Sequence, residues 1–123
     1  MKILVCGSRE FADYHLIWQV LTAIEERATL KIIEGAARGA DLIASEIAGR
    51  LGCEVAEFPA QWMKHGRGAG IIRNQQMLDE GKPDRVIAFS TIYPLTPGTH
   101  DMVQRSVKAG LPVEIHISAK VSQ

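Results

Sequence analysis

Disulfide scaffolding, metal clusters and membrane spans are all poorly served by this sequence. Its 123 residues include only two cysteines, Cys6 and Cys53. They match no metal or redox spacing and read as buried, reduced strand residues. The four histidines, His15, His65, His100 and His116, show no ligand spacing either, so no metal site is expected. No run approaches the roughly 18 apolar residues that span a bilayer. The apolar start, Met1 to Gly7, is too short for a signal peptide, and the expected compartment is the cytoplasm. An excess of either charge is missing as well, because Lys plus Arg and Asp plus Glu both number 14. Proteins that hold nucleic acid through its phosphates usually carry a basic surplus, so nucleic acid is not the expected partner. Two Trp, two Tyr and three Phe are few for a base-stacking groove. Neither G-x-G-x-x-G nor a Walker A motif occurs.

What is present is an alternation of short apolar runs with longer amphipathic ones. The strand candidates are Lys2–Cys6, Leu30–Glu34, Glu54–Phe58, Arg85–Phe89 and Pro112–Ile117. The near-continuous Val/Ile/Leu character of the middle ones suits a parallel sheet covered on both faces. Between them, Asp13 can cap a helix striped by Leu16, Ile17, Val20, Leu21 and Ile24. Ile43, Ile47 and Leu51 mark a second helix, stopped at Gly52. A third is expected over Ala69–Leu78, ending near Gly81, with Ile72 and Met77 toward the core. The last follows Pro97-Gly98-Thr99 and stops at Gly110. This order predicts one α/β, Rossmann-like, three-layer domain over residues 1–117, with a frayed tail over 118–123. About five mostly parallel strands are expected, in the order 3-2-1-4-5. The stretch from Phe58 to Arg67 reads as a loop, and its Trp62 and His65 suggest a packed lid.

In such sheets ligands bind beyond the carboxyl ends of the strands. Three turns fall on that edge. The first is Gly7-Ser8-Arg9. The second runs from Glu34 and Gly35 through Arg38, Gly39, Ala40 and Asp41, where small residues and a helix start suit a phosphate. The third follows Ser90 and reaches Gly98 and Thr99. In the third helix, Arg73 offers a fork for a phosphate or carboxylate and Asn74 a polar edge. Each also has a plainer reading, as a strand-ending turn, a solvated side chain, or an Arg38 paired with Glu34 or Asp41. His65 and His100 lie near the expected cleft, and His116 reads as structural.

Gly7-Ser8-Arg9, Glu34 through Asp41, Phe58-Pro59-Ala60-x-Trp62, Gly66 through Met77 and Gly98-Thr99 together resemble the SLOG superfamily. The likeness is nearest to its YspA-like, YpsA-related branch. More distant relatives are the Lonely Guy phosphoribohydrolases, whose Arg-Lys-x-x-Met helix is similar to Arg73-Asn74-Gln75-Gln76-Met77. Their Pro-Gly-Gly-x-Gly-Thr-x-x-Glu loop is similar to Pro97 through Met102. Asn74 thus replaces a lysine, and Met102 stands where those enzymes place their catalytic glutamate, with Asp101 beside it. The Gly-Ala-Ala-Arg-Gly-Ala-Asp segment is similar to a stretch of the DNA-processing protein A family.

The resemblance implies a homodimer or higher oligomer. The function expected is binding of a nucleotide or derivative, such as a nucleoside phosphate, ADP-ribose or an NAD-like molecule, with no required cofactor. The alternative is an N-glycosidic hydrolase in which Arg73 and Asp101 act catalytically. A further alternative is binding of single-stranded DNA or a protein partner.

Overall fold

A computed structural model describes residues 1–25 and 29–120. Five strands are formed: β1 (Lys2–Gly7), β2 (Lys31–Glu34), β3 (Glu54–Glu57), β4 (Arg85–Ser90) and β5 (Val113–Ile117). They pair in parallel in the order β3-β2-β1-β4-β5, as the alternation of runs predicts. Among the described residues the α-helices are α1 (Tyr14–Thr22), α2 (Ala40–Arg50), α3 (Trp62–His65), α4 (Ala69–Gln76) and α5 (Pro97–Lys108). Among the described residues, no helix is long and apolar enough to cross a membrane.

Alternation along the strands builds the three layers. Ile3 and Val5 of β1 face a core with Ile17 and Leu21 of α1 and Ala44 and Ile47 of α2. Leu4 and Cys6 face the other way, onto Met77 and onto Met102 and Val103 of α5. Both faces of β1 are therefore buried, which explains its unbroken apolar run.

Local signals set most helix ends. Asp13 Oδ1 accepts from the Leu16 N–H at 3.2 Å and caps α1. That helix ends at Thr22, although Ile24 still packs into the core. Pro97 occupies the first turn of α5, where its missing N–H removes no helical bond. The third helix departs from expectation. After Gln76 it widens into a π turn, Met77–Gly81, which ends at Lys82 in the left-handed region with φ of 49°. Gly81 packs closely instead: a Cβ there would stand 3.1 Å from Ile33 Cδ1, so Ile33 would have to shift slightly.

Two further expectations are corrected. Phe58 to Arg67 is not all loop, because Trp62–His65 is one helical turn and Gly66–Gly68 a 3-10 turn. Ile72 is 46% exposed, whereas Met77 is buried. Residues five apart on an α-helix point about 140° from one another, so only one of the two can face the sheet. At the carboxyl end of the chain the Ser118 N–H donates to the Ser90 carbonyl at 2.9 Å, extending the β5 ladder by one bond. Of the tail expected to fray, residues 118–123, Ser118 is thus tied to the sheet, and residues 121–123 lie outside the described residues.

Candidate functional site

β1 leaves the sheet through a narrow exit. A Cβ on Gly7 would run into the Phe89 carbonyl oxygen and lie 2.7 Å from Ala40 Cβ, so no side chain fits there. Ser8 follows, buried, its N–H donating to the Phe89 carbonyl at 2.9 Å and its Oγ accepting from the Glu10 N–H at 3.2 Å. Arg9 is exposed, with its guanidinium 6.0 Å from the centre of the Trp62 ring. It makes no hydrogen bond or ion pair among the described residues.

The turn after β2 is tied together by carboxylates. Asp41 Oδ2 accepts from the N–H groups of Gly35 and Ala37, at 3.1 and 3.2 Å. Glu34 Oε2 accepts from Ala36 at 2.9 Å, while Glu34 Oε1 is buried with no hydrogen-bond partner among the described residues. Arg38 reaches outward to Glu10 Oε1 at 2.9 Å, a pair exposed on both sides. It pairs with neither Glu34 nor Asp41. Gly39 has φ of 84°, and a Cβ there would strike the Ser8 and Arg9 carbonyl oxygens. The start of α2 is thus sealed against the β1 turn, with the Ala40 N–H directed at the Ser8 carbonyl.

Burial pushes the Asp41 carboxyl up to about 6, against the pull of its two backbone donors and of Arg73 and Arg9. Burial likewise raises Glu34, to about 8, with the nearby Asp41 and Glu57 charges adding to the shift and the Ala36 donor opposing it. The Cys6 thiol is pushed well above its ordinary range, chiefly by burial, and is no nucleophile near neutral pH.

Arg73 projects from α4 into this turn. Its Nη1 donates to the Gly35 carbonyl at 2.5 Å and to the Phe58 carbonyl at 3.4 Å, and its Nε donates to Asn74 Oδ1 at 3.1 Å. Asn74 Nδ2 donates to Asp101 Oδ2 at 3.0 Å and to the Gly98 carbonyl at 3.4 Å, linking α4 to α5. The same Asp101 oxygen accepts from Arg105 Nε at 2.9 Å, and Arg105 Nη1 donates to Gln75 Oε1 at 2.9 Å. One chain of polar contacts therefore runs from the β2 turn to the middle of α5.

These elements enclose a cavity of about 470 Å³ at the carboxyl edge of the sheet, between the exits of β1 and β4. That is where the strand order reverses, and the volume lies within the usual range for small-molecule sites. Of the residues singled out from sequence, Gly7, Ser8, Arg9, Asp41, Arg73, Asn74, Gly98, Thr99 and Asp101 line it. Gly35 and Arg38 instead border a neighbouring hollow of about 360 Å³. Glu34, Gly39, Ala40 and Ser90 line neither. Glu34, Ala40 and Ser90 are fully buried, and the Ser90 hydroxyl donates to the Ile92 carbonyl at 2.9 Å. His65 lies in an outer groove, and His100 is exposed away from the cavity.

Trp62, Arg67 and Thr96 are among the lining residues that sequence reasoning does not name as ligand contacts. The aromatic in the Phe58–Arg67 stretch was the available signal for the first. Arg67 is exposed but borders the cavity from the 3-10 turn, which its Gly-flanked sequence does not announce. Met102, at the position of the relatives' glutamate, is fully buried and contributes to the cavity wall. No cluster of three or more metal-ligating side chains occurs among the described residues.

The α5 end of the cavity is open in another sense. No side chain caps the first turn of α5, since Thr96 Oγ1 donates to Thr99 Oγ1 at 3.2 Å. A Cβ on Gly98 would meet nothing within 4 Å. Backbone N–H groups and the positive end of a helix dipole thus face accessible space.

Comparison with known proteins agrees with this architecture. Residues 1–65, more than half of the chain, match the family model described as YspA, cpYpsA-related SLOG family. The Gene 61 protein of Mycobacterium phage D29 is 34% identical over 121 residues, spanning 91% of this chain and 93% of its own length. The chain belongs to the YspA, cpYpsA-related SLOG family.

Proposed function

We propose that this protein binds a nucleotide or nucleotide derivative in the 470 Å³ cavity, with an anionic group at the first turn of α5. The observation that carries this reading is that uncapped turn, opening onto a cavity whose other walls include Arg9, Arg67 and Arg73. Three acids also line the cavity, but each is already engaged. Glu10 pairs with Arg38, Asp101 with Arg105, and Asp41 holds the β2 turn. Arg9 and Arg67 have no acidic partner among the described residues, so positive charge is left for a ligand. The Trp62 ring at the rim offers a face for a base. Family membership supports a nucleotide-related role broadly.

The α2 start, the other candidate phosphate cradle, is the poorer choice. Its turn donors at Gly35, Ala36 and Ala37 are already taken by carboxylates.

N-glycosidic hydrolysis is a second reading with one observation in its favour: the Asp101 carboxylate lines the cavity. Its Oδ2 is held by Asn74 and Arg105, leaving Oδ1 for a ribose or a water.

Titration calorimetry and thermal shift with nucleoside mono- and diphosphates, ADP-ribose, NAD and inorganic phosphate test the binding reading. A ligand at about 100 times Kd adds ~2.7 kcal/mol of stability. A panel that yields no heat and no shift overturns it.

A further inference from the structure

The 470 Å³ cavity does not stand alone. The hollow of about 360 Å³ adjoins it, and the two share Arg9, Ala37, Trp62 and Arg73 as a common wall. The far side of this second hollow is built from the β2 turn, Gly35 to Arg38, and from Pro59 and Ala60 after β3. Apart from the Trp62 ring, its walls are small or polar, and none of the residues that line it is a branched aliphatic. The dividing ridge carries two guanidinium groups. Arg73 is fixed by its bonds to the Gly35 and Phe58 carbonyls, whereas Arg9, with no hydrogen bond or ion pair among the described residues, lies against the Trp62 ring. A solvated surface arginine needs no such position. A guanidinium on the ridge between two hollows is placed to receive the anionic bridge of a two-part ligand.

We infer that the ligand is a pyrophosphate-bridged nucleotide, a nucleoside diphosphate carrying a second sugar or nucleoside, and that it occupies both hollows. This rests on the nucleotide reading above. One nucleoside half fills the larger cavity with its phosphate at the first turn of α5. The second phosphate lies against Arg9 on the ridge. The distal sugar enters the smaller hollow, where the small Ala36, Ala37 and Ala60 side chains leave room for it. A mononucleotide in the larger cavity would leave the second hollow unused.

The experiment compares matched ligands by titration calorimetry at one salt concentration: AMP with ADP-ribose, UMP with UDP-glucose, and GMP with GDP-mannose. It uses wild type, Ala60→Trp and Arg9→Gln. Expected is at least tenfold tighter binding of one pyrophosphate-bridged ligand than of its mononucleotide by wild type. That ratio falls to within threefold of one in Ala60→Trp, whose indole fills the smaller hollow, and in Arg9→Gln, which removes the ridge charge. Equal affinity for mononucleotide and bridged ligand in wild type overturns the two-hollow assignment and leaves nucleotide binding standing. A tenfold preference that survives in both folded variants also overturns it. Failure of every ligand to bind wild type overturns the nucleotide reading itself. The wild-type comparison needs no variant, so misfolding of either substitution leaves the proposal exposed to refutation.

Discussion

Arg73 and Gly35, 38 residues apart, are joined by a 2.5 Å hydrogen bond from the guanidinium on α4 to the carbonyl at the end of β2. With its second acceptor at Phe58, Arg73 ties the exits of β2 and β3 to the helix beyond them. It also faces the buried Asp41, whose charge it helps to hold. An arginine that lines a cavity therefore has a structural duty before any ligand arrives. Arg73→Ala should leave the Gly35 carbonyl without its donor and remove about 1.5–3 kcal/mol of stability, lowering Tm by roughly 5–15 °C. Ligand affinity should fall as well. Thermal melts and calorimetry on the same samples check both, and a variant with normal melting would make this a dispensable surface arginine.

Glu34 and Asp41 set a pH dependence of known sign. Burial raises both carboxyls above their ordinary values, to about 8 and about 6. Between the ordinary carboxylate range and those raised values the folded chain binds more protons than the unfolded one. This part of the stability is complete below about pH 4 and is lost as pH rises through 6 and 8. Glu34→Gln keeps an acceptor for the Ala36 N–H but removes the titration. It should match wild type near pH 4 and melt several degrees higher at pH 9. Parallel Tm profiles for the two proteins across that range would show that Glu34 titrates normally.

Two glycines at helix starts should behave oppositely. Gly39 holds φ of 84° with carbonyl oxygens where a Cβ would go, so Gly39→Val should destabilise the fold by more than about 2 kcal/mol or prevent folding. It reports on packing and not on a ligand. Gly98 has open space around its Cβ position and lies within α5. Gly98→Ala should raise stability by about 0.5–1 kcal/mol while weakening ligand binding, because the methyl group crowds the approach to the first turn. Tighter or unchanged binding by Gly98→Ala would move the anionic group elsewhere.

The sheet was legible because its signals are local and repeated. Each buried strand is a short Val/Ile run, each crossover is long enough for a helix, and Asp13, Gly52 and Pro97 mark ends by their own chemistry. The third helix was less legible for a physical reason. Its buried positions include the polar Asn74, which bridges to Asp101 and the Gly98 carbonyl on α5, so a hydrophobic stripe points the wrong way and favours Ile72. The cavity edge was readable from which turns follow which strands. That Asp41 and Arg73 would spend their polar atoms on neighbouring backbone was not, since both partners lie far off in sequence or depend on the turn's closed shape. Likewise Arg38 pairs with Glu10, a residue 28 positions away, and no local rule anticipates that choice.

Asp101 and Met102 decide whether the site does chemistry. Met102 is fully buried against β1 and β4, and its thioether can neither accept a proton nor stabilise an oxocarbenium-like centre. Asp101 is rotated about 100° around the helix from it and has one oxygen committed to Asn74 and Arg105. Wild type should accordingly release little or no free base from nucleoside monophosphates over hours, as read by chromatography. Asp101→Asn should alter binding more than base release, because it weakens the Arg105 contact and the link to α4. Met102→Glu would place a carboxylate in the core between α5 and the sheet, so it should lower Tm before it could assist any reaction. Rapid base release by wild type that disappears in Asp101→Asn, with melting preserved, would make Asp101 the catalytic carboxylate and the protein a hydrolase.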